Sequence, residues 1–255
     1  MALYKLILAY DGTDFSGFQR QGKTRTVQLV VETVLRELGW QQPAMLFAGR
    51  TDAGVHACGQ VATISLDWQH SSADLVNALN ARLPDDVSVI EANVAQAEFH
   101  PRYDASSRTY HYHLYQLPVR QPLLERYAWR IWPELDPERL DRAASRFIGR
   151  HDFCAFGRAM KKGGSTTREV YTSQWMKTPE GWRYEVEANA FLYHMVRRMV
   201  FIQVQAASGA DESEIETALR EGRPLKPGLA PAQGLFLVNV SYAGLTRERC
   251  EDEKN

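Results

Sequence analysis

The sequence predicts an α+β fold, in which helices pack against a mostly antiparallel sheet. Strand-like segments follow one another through short connections, as in the hairpin expected around 179–181, and segments of helical periodicity lie between them. No Gly-x-Gly-x-x-Gly motif or P-loop follows a predicted strand, so a parallel nucleotide-binding unit is not indicated. The 255 residues, of which 44% are apolar and 24% charged, are enough for a large core in a soluble globular protein.

The first half of the chain combines strand-like apolar runs with two helical segments. Gly39 follows the first helical segment and supplies its C-cap, and Ser71 with Asp74 forms a capping box for the second. The elements expected here are strands over 3–10, 45–48, 61–66, 87–94 and 107–117 and helices over 27–38 and from Ser71 to Arg82.

The second half has its own helix and strand signals. Asp136 and Pro137 are typical of a helix start, and Gly149 is expected to end that helix. The elements expected here are helices over 136–149, 192–208 and 213–220 and strands over 168–177, 182–190 and 235–242.

Prolines 118, 122 and 133 disfavour regular structure between the halves. We therefore place the boundary there, and the acidic residues after the last strand are expected to be frayed. The predicted organisation is an N-terminal half over 1–117, a connector over 118–135, a C-terminal half over 136–246 and an acidic tail over 247–255.

The most informative segment is GRTDAGVHA at 49–57, which directly follows the apolar run at 45–48. Asp52 lies there between Arg50 and a run of small residues. We expect Arg50 to lie close enough to lower the pKa of this carboxylate, and only an ionised carboxylate is a nucleophile or base. For an isolated Asp-Ala-Gly, however, a turn-capping aspartate would be the simpler interpretation.

This segment resembles the signature loop of the TruA-type tRNA pseudouridine synthases. Ordered matches to that family run from about the tenth residue to the last predicted strand, so the resemblance covers the whole chain. The other matching segments are 10–13 with 15–19, 99–102 with 107–112, 151–153, 189–198 and 230–235.

The resemblance implies both a fold and an activity. It implies two similar halves that share the sheet, with helices on one side and an active cleft between the halves. It also implies a cytoplasmic homodimer that needs no cofactor and isomerises uridines 38–40 in the anticodon stem-loop of tRNA to pseudouridine. Breaking the N1–C1′ bond, rotating uracil and rejoining through C5 needs no redox change, so one ionised carboxylate can suffice.

Two other functions compete with this interpretation. A non-catalytic tRNA-binding protein or folding chaperone could keep the same fold, but it would have no need of the carboxylate. A glycosidic-bond hydrolase would require a second acid across the bond, for which Asp11 and Asp14 are the candidates. Whether Asp52 would attack the base, attack the sugar or remove a sugar proton stays open.

The candidate catalytic residues are Asp52, Arg50, Tyr110 and Arg197. Tyr110 shares one side of a predicted strand with Tyr112, and the resemblance makes Tyr110 the residue that stacks on the target uracil. For Tyr112 we expect a place in the core. Arg197 lies in an apolar helix, where an unpaired charge is costly to bury, and the resemblance makes it the salt-bridge partner of Asp52.

Basic residues are clustered, although the net charge is only −1. The windows 15–31, 157–168 and 188–210 contain no acid, which favours a polyanionic partner, although charge runs are also typical of solvated faces. The residues expected to bind substrate RNA are Tyr110, Phe18, Gln19, Arg20, His56, Lys161, Lys162, Arg168 and Arg198.

Several other classes of protein are disfavoured. The three cysteines are widely spaced without a Cys-x-x-Cys pair, and the spacing of histidines 56, 100, 151 and 194 fits no metal-ligand pattern. We therefore expect no bound metal and a reducing cytoplasm. No apolar run approaches the roughly 20 residues that span a bilayer, and the first residues lack the pattern of a signal peptide.

One position departs from the family pattern. Phe201 stands where the family usually has a glycine that permits close helix packing. A phenylalanine ring requires a local pocket, so the packing of this helix against its neighbours is expected to differ.

Overall fold

The computed structural model describes residues 1–243, and these residues form an α+β fold around one ten-stranded sheet. The acidic tail expected at 247–255 lies outside the described residues. The strands are β1 (Ala2–Tyr10), β2 (Leu46–Phe47), β3 (His56–Leu66), β4 (Val87–Val94), β5 (Ala105–Tyr115), β6 (Trp129–Arg130), β7 (Gly149–Asp152), β8 (Thr167–Lys177), β9 (Gly181–Ala188) and β10 (Leu235–Tyr242). The helices are α1 (Val27–Glu37), α2 (Ser72–Asn80), α3 (Pro122–Glu125), α4 (Pro137–Ser145), α5 (Met195–Ala207) and α6 (Ser213–Glu221).

The sheet is mostly antiparallel, as predicted. Its strand order is β4-β1-β3-β10-β5-β9-β8-β7, with β2 paired to β3 and β6 paired to β5. Within residues 1–243, the parallel pairs are β3 with β10 and β5 with β6. The last described strand, β10, therefore lies at the centre of the sheet, between β3 and β5.

The strands alternate between a buried and a less buried face. In β5, Tyr110, Tyr112 and Leu114 are buried, whereas His111 and His113 are half-buried on the opposite face. This is the alternation expected from the sequence, and Tyr112 is fully buried, as predicted. The buried residues of the strands and of the longer helices form one continuous hydrophobic cluster. Within residues 1–243, no helix has the length and apolarity needed to cross a bilayer.

Local sequence signals predict several element boundaries correctly. β4 and β10 cover the predicted ranges without change. The capping box of α2 is present, because Ser71 Oγ accepts a hydrogen bond from Asp74 N at 3.1 Å and Asp74 Oδ2 accepts one from Ser71 N at 3.1 Å. Asp136 caps α4 by accepting a hydrogen bond from Arg139 N at 3.1 Å.

Other elements differ from the predicted ones, and β3, which begins at His56 instead of residue 61, is one of them. The helix that starts after Asp136 ends at Ser145, and Gly149, with φ of +104°, begins β7 instead of ending the helix. The segment 118–135, for which no regular structure was expected, contains the single-turn helix α3 and the short strand β6. Proline explains the first of these, since Pro122 occupies the first position of α3, where no backbone donor is required.

Phe201 has the local pocket that its ring requires, and a glycine provides it. A Cβ atom placed on Gly228 would lie 2.1 Å from Cζ of Phe201, so only a residue without a side chain fits there. Arg198 covers the same site, because its guanidinium lies 5.9 Å from the Phe201 ring centroid and its Nη1 donates to Gly228 O at 2.7 Å. The large side chain at Phe201 is thus accommodated by the absence of a side chain at Gly228.

Asp11 ties the connector to the first loop of the chain. Its Oδ2 accepts hydrogen bonds from Arg126 Nε at 3.0 Å and Tyr127 Oη at 2.9 Å, while its Oδ1 accepts from the backbone and hydroxyl of Thr13. Partial burial acts to raise the pKa of Asp11, but the hydrogen bonds from Thr13, Tyr127 and Arg126 outweigh it and hold the pKa well below its usual range.

The low pKa of Asp11 predicts a stability contribution that depends on pH. A carboxylate whose pKa is lower in the folded than in the unfolded chain stabilises the fold above its ordinary pKa of about 4, and this contribution is lost as the pH falls below that value. We expect Asp11→Asn to lower the free energy of unfolding by about 1–2 kcal/mol at pH 7. Urea unfolding of both proteins from pH 7 to pH 3 should show this difference shrinking at the acid end.

A matched control is Asp14→Asn, since Asp14 is more exposed and lies 3.9 Å from the same Arg126. It should change the stability little at any pH. A wild-type advantage over Asp11→Asn that stays constant down to pH 3 would contradict the assignment.

Candidate active site

A cavity of about 920 Å³ opens where loops of the N-terminal half meet loops of the C-terminal half. Its volume lies within the range of about 300–1,000 Å³ that is usual for ligand pockets. The wall is built by residues within 16–21, 45–55, 100–110, 159–168 and 190–197, together with Leu235.

Asp52 lies in this wall, on the loop that joins β2 to β3. The loop turns tightly here, with Asp52 O accepting a hydrogen bond from Val55 N at 3.2 Å. Gly54 has a φ of +76°, a conformation that favours glycine, and this allows the chain to reverse directly after Asp52. The side chain of Asp52 is 23% exposed, so it is accessible from the cavity while being largely shielded from bulk water.

The carboxylate of Asp52 contacts two basic side chains from the other half of the chain. Its Oδ2 accepts a hydrogen bond from Arg197 Nη1 at 2.9 Å and lies 3.3 Å from His194 Nε2. Arg197 also donates from Nε to Ala230 O at 2.8 Å, which fixes the guanidinium. The ion pair that the resemblance implies is therefore present, and Asp52 is the counter-ion of Arg197 on the mostly apolar helix α5.

Arg50 does not have the place that the sequence suggested. Within residues 1–243, the ion-pair partners of Asp52 are Arg197 and His194, while Arg50 is exposed at the cavity wall. The expected ion pair between Arg50 and Asp52 is therefore not found in the described part of the chain. Asp52 pairs instead with Arg197, 145 positions away in sequence, because the loop packs against α5.

Tyr110 lies in the wall with its ring held in place. The ring is edge-on to Phe191, with centroids 5.0 Å apart and an interplanar angle of 85°. Burial raises the pKa of Tyr110 to about 12, an effect that Arg108 opposes and Asp52 reinforces. Its hydroxyl therefore keeps its proton near neutral pH and is available as a hydrogen-bond donor.

Phe18 was expected to contact RNA from a mobile loop, but its ring is fully buried. It packs against Phe47 with ring centroids 4.7 Å apart and against Tyr10 with centroids 5.9 Å apart. The loop is fixed on the neighbouring segment by a hydrogen bond from Phe18 N to Thr51 O at 3.1 Å. Phe18 thus supports the loop of Asp52, and it is among the residues that line the cavity, but its buried ring is not the exposed contact that was expected.

His56 is also buried, and it does not line the cavity. Its Nδ1 accepts a hydrogen bond from Gly12 N at 3.0 Å, and its ring stacks on Phe236 with centroids 4.6 Å apart. Burial lowers the pKa of His56, although the nearby carboxylate of Asp11 acts in the opposite direction. The expectation that His56 binds substrate is therefore wrong, and its role is structural.

Arg20 and Gln19 border the cavity in different ways. Arg20 forms an ion pair with the fully buried Glu32, with Nη1 and Oε2 2.6 Å apart, and it donates from Nη2 to Pro43 O at 3.2 Å. Its guanidinium is therefore already engaged in holding the loop to α1. Gln19 is half-buried in the wall, where it remains a candidate for substrate contact.

The basic residues predicted in the C-terminal half separate into three groups. Lys161 and Arg168 line the cavity, and burial lowers the pKa of Arg168. Lys162 is exposed outside the lining. Arg198 lies on a second cavity, next to the first, and its pKa is lowered by burial.

The structure adds His194 and Arg108, neither of which was predicted to belong to the site. His194 contacts Asp52 and has the unusual φ of +66°, which nothing in the local sequence indicates. Arg108 is 9% exposed and donates hydrogen bonds to four backbone carbonyls around the wall. The alternation that places Tyr110 and Tyr112 on one face of β5 also places Arg108 there, so this signal was available in the sequence.

The charged residues that line the cavity are predominantly basic. Among the described lining residues, Asp52 is the single acid, and Asp11 and Asp14 lie elsewhere. No group of three or more potential metal ligands is found in residues 1–243. Such a site can accept an anionic substrate and act on it with one carboxylate. The cationic lining residues are Arg20, Arg50, Arg102, Arg108, Lys161, Arg168 and Arg197.

Comparison with known proteins gives consistent matches over most of the chain. A family model described as tRNA pseudouridine synthase matches residues 6–104 and 143–243. The tRNA pseudouridine synthase A of Roseiflexus castenholzii is 40% identical over 243 residues, which cover 93% of this chain and 89% of the relative. The proteins of the same description from Limosilactobacillus fermentum and Syntrophotalea carbinolica are 38% and 37% identical, over 95% of this chain and 96% and 97% of theirs.

The contact between Asp52 and Arg197 predicts a measurable coupling in stability. Arg197→Gln removes one partner of a largely shielded ion pair and should lower the free energy of unfolding by about 2–3 kcal/mol. Asp52→Asn in the same background removes the stranded charge, so the double variant should be more stable than Arg197→Gln alone. Denaturant unfolding of the four proteins in this cycle gives the coupling energy. Additive effects of the two substitutions would contradict a direct interaction.

Proposed function

The chain belongs to the tRNA pseudouridine synthase family, and we propose that it converts uridine to pseudouridine at positions 38–40 of the anticodon stem-loop of tRNA without a cofactor. The observation that carries the proposal is the lining of the cavity, where Asp52 is the single acid among the described residues and seven side chains are arginine or lysine. A tRNA substrate and the wide spacing of the cysteines favour the cytoplasm as its location.

The reaction is an isomerisation, so its atoms balance without a second substrate. The N1–C1′ bond breaks, uracil turns, C5 bonds to C1′, and the proton lost from C5 is balanced by one gained at N1. Attack on the base, attack on the sugar and removal of a sugar proton remain the three possible actions of Asp52. Each of them needs the ionised carboxylate.

Arg197 serves the reaction by holding the carboxylate of Asp52 in place at the cavity wall. An arginine at hydrogen-bond distance stabilises a carboxylate and keeps its charge under all ordinary conditions. Within residues 1–243, the side-chain contacts of Asp52 involve Oδ2, which leaves Oδ1 available to the reacting atom. The ion pair therefore orients the carboxylate toward the cavity.

Tyr110 supplies a surface for the target base. Phe191 fixes the plane of its ring, so a uracil entering the cavity can stack on a preoriented aromatic face. The uridine must leave its own stack to reach this position, as in other enzymes that act on a base. The surrounding cations, among them Lys161 and Arg168, compensate the phosphate charges of the displaced strand.

We also propose that the protein is a homodimer, which the family resemblance implies. The segment 118–133 exposes several large apolar side chains, including Leu123, which is 86% exposed, and Val119, which is 68% exposed. Exposed large apolar side chains that lie close together in sequence are suited to contact with a second copy.

The dimer proposal predicts that Leu123→Glu gives a monomer. Light scattering over a range of protein concentrations should show the dimer mass for the wild type and a lower mass for the variant. Ile90→Glu is the matched control, since Ile90 is a 52% exposed apolar residue on β4, away from this segment. A wild-type mass that stays monomeric at every concentration would refute the dimer without affecting the chemistry.

The decisive variant for the activity is Asp52→Asn, which keeps the size of the side chain but removes the charge. Single-turnover release of tritium from C5-labelled uridine in tRNA should fall by about 10⁴-fold or more. Filter binding of the same tRNA should be retained, because affinity depends mainly on the basic and aromatic groups. Mapping pseudouridine in the wild-type product tests positions 38–40.

The control is Asp85→Asn, an exposed aspartate outside the cavity, which should leave turnover and binding unchanged. Appreciable turnover by Asp52→Asn would refute the role of this residue. Binding by the wild type without any pseudouridine would favour the alternative of a non-catalytic tRNA-binding protein.

A further inference from the structure

We propose that a second cavity beside the active site binds the nucleotide adjacent to the target uridine in the same RNA strand. This inference rests on the proposed function. The cavity has a volume of about 470 Å³, which suits one nucleotide-sized group. Tyr193 and His194 line both cavities, so these two side chains form the wall between them.

The wall is held in a specific and unusual geometry. The rings of Tyr193 and His194 stack with centroids 3.7 Å apart and an interplanar angle of 26°. Within residues 1–243, His194 is the one non-glycine residue with a positive φ. This conformation is unfavourable for a residue with a side chain and persists where the surroundings enforce it, which is common at functional sites. It allows His194 to contact Tyr193 on one cavity and Asp52 on the other.

Arg158 is fixed at the edge of the second cavity. Its backbone forms an isolated antiparallel bridge with Tyr193, in which Arg158 N donates to Tyr193 O at 3.3 Å and Tyr193 N donates to Arg158 O at 3.0 Å. Gly157 makes this approach possible, since a Cβ there would lie 2.8 Å from Tyr193 O. The exposed guanidinium of Arg158 lies 5.3 Å from the Tyr193 ring centroid.

Arg198 provides a second cation at the same cavity. One of its five N–H groups donates to Gly228 O, and the others remain available for a phosphate, which accepts paired hydrogen bonds from a guanidinium. No acidic residue is among those that line the cavity. Two arginines without a carboxylate in the lining make an anion the fitting occupant.

The rest of the lining distinguishes a nucleotide from a simple anion. Pro227 and Leu229 add apolar surface to the lining, on which a base can pack while its phosphate meets the arginines. Because Tyr193 and His194 line both cavities, the two sites are adjacent, and a strand whose uridine lies at Asp52 can place its neighbouring nucleotide here. The bound nucleotide would contact Tyr193 and His194, and His194 contacts Asp52. Recognition of the adjacent nucleotide is thereby linked to the position of the reacting uridine.

The test combines a protein variant with a modified RNA. Arg158→Gln removes one cation while leaving the main cavity intact, and Arg150→Gln, on β7, is the matched control. The probes are anticodon stem-loop oligonucleotides with a single neutral methylphosphonate at the phosphate 5′ or 3′ to the target uridine. Binding is measured over a range of salt concentrations and therefore does not depend on turnover.

We expect Arg158→Gln to weaken binding of the unmodified RNA by about 5- to 20-fold and to lower the slope of log K against log[salt] by about 0.7. One of the two methylphosphonates should weaken wild-type binding similarly and have little further effect on Arg158→Gln. Arg150→Gln should match the wild type.

The second site would be refuted if Arg158→Gln and the wild type had equal slopes of log K against log[salt]. It would also be refuted if the effect of Arg158→Gln on binding were independent of the effects of both methylphosphonates. These results are separable from the proposed function, because that proposal fails only if the wild type forms no pseudouridine at positions 38–40.

Discussion

The ion pair between Asp52 and Arg197 is the interaction on which the site depends. It joins a loop between two strands of the N-terminal half to a helix of the C-terminal half, across 145 positions of sequence. Arg197 also holds Ala230, five residues before β10, so the loop of Asp52, the helix α5 and the segment leading into β10 meet at one guanidinium. An error in the packing of any of these elements would displace the carboxylate by a fraction of an ångström or more, and reactivity is sensitive to displacements of this size.

The sequence predicts the elements well wherever the signal is local. The capping box of Ser71 and Asp74, the N-cap Asp136 and the alternation in β5 each depend on residues a few positions apart, and each is present. The central place of β10 has no such signal. Pairing with β3 and β5 is set by contacts between distant segments, so periodicity could identify the strand but not its neighbours.

The site residues follow the same division. Asp52 and Arg197 were identified because the resemblance carries information about distant contacts, which a single chain does not supply. Phe18 was misplaced because loops usually lie at the surface, whereas this loop packs on the segment at Thr51. Arg50 was misjudged because adjacency in sequence does not ensure contact in a turn. His194 could not have been anticipated, since its backbone conformation is imposed by its surroundings.

The central position of β10 has a consequence for the synthesis of the protein. A strand that pairs with both β3 and β5 closes the sheet, yet it is the last described strand to leave the ribosome. Until then the two groups of strands have no common neighbour, and Leu235 is absent from the cavity wall. The sheet and this part of the cavity wall are therefore completed only when β10 pairs, through contacts between segments that are distant in the sequence.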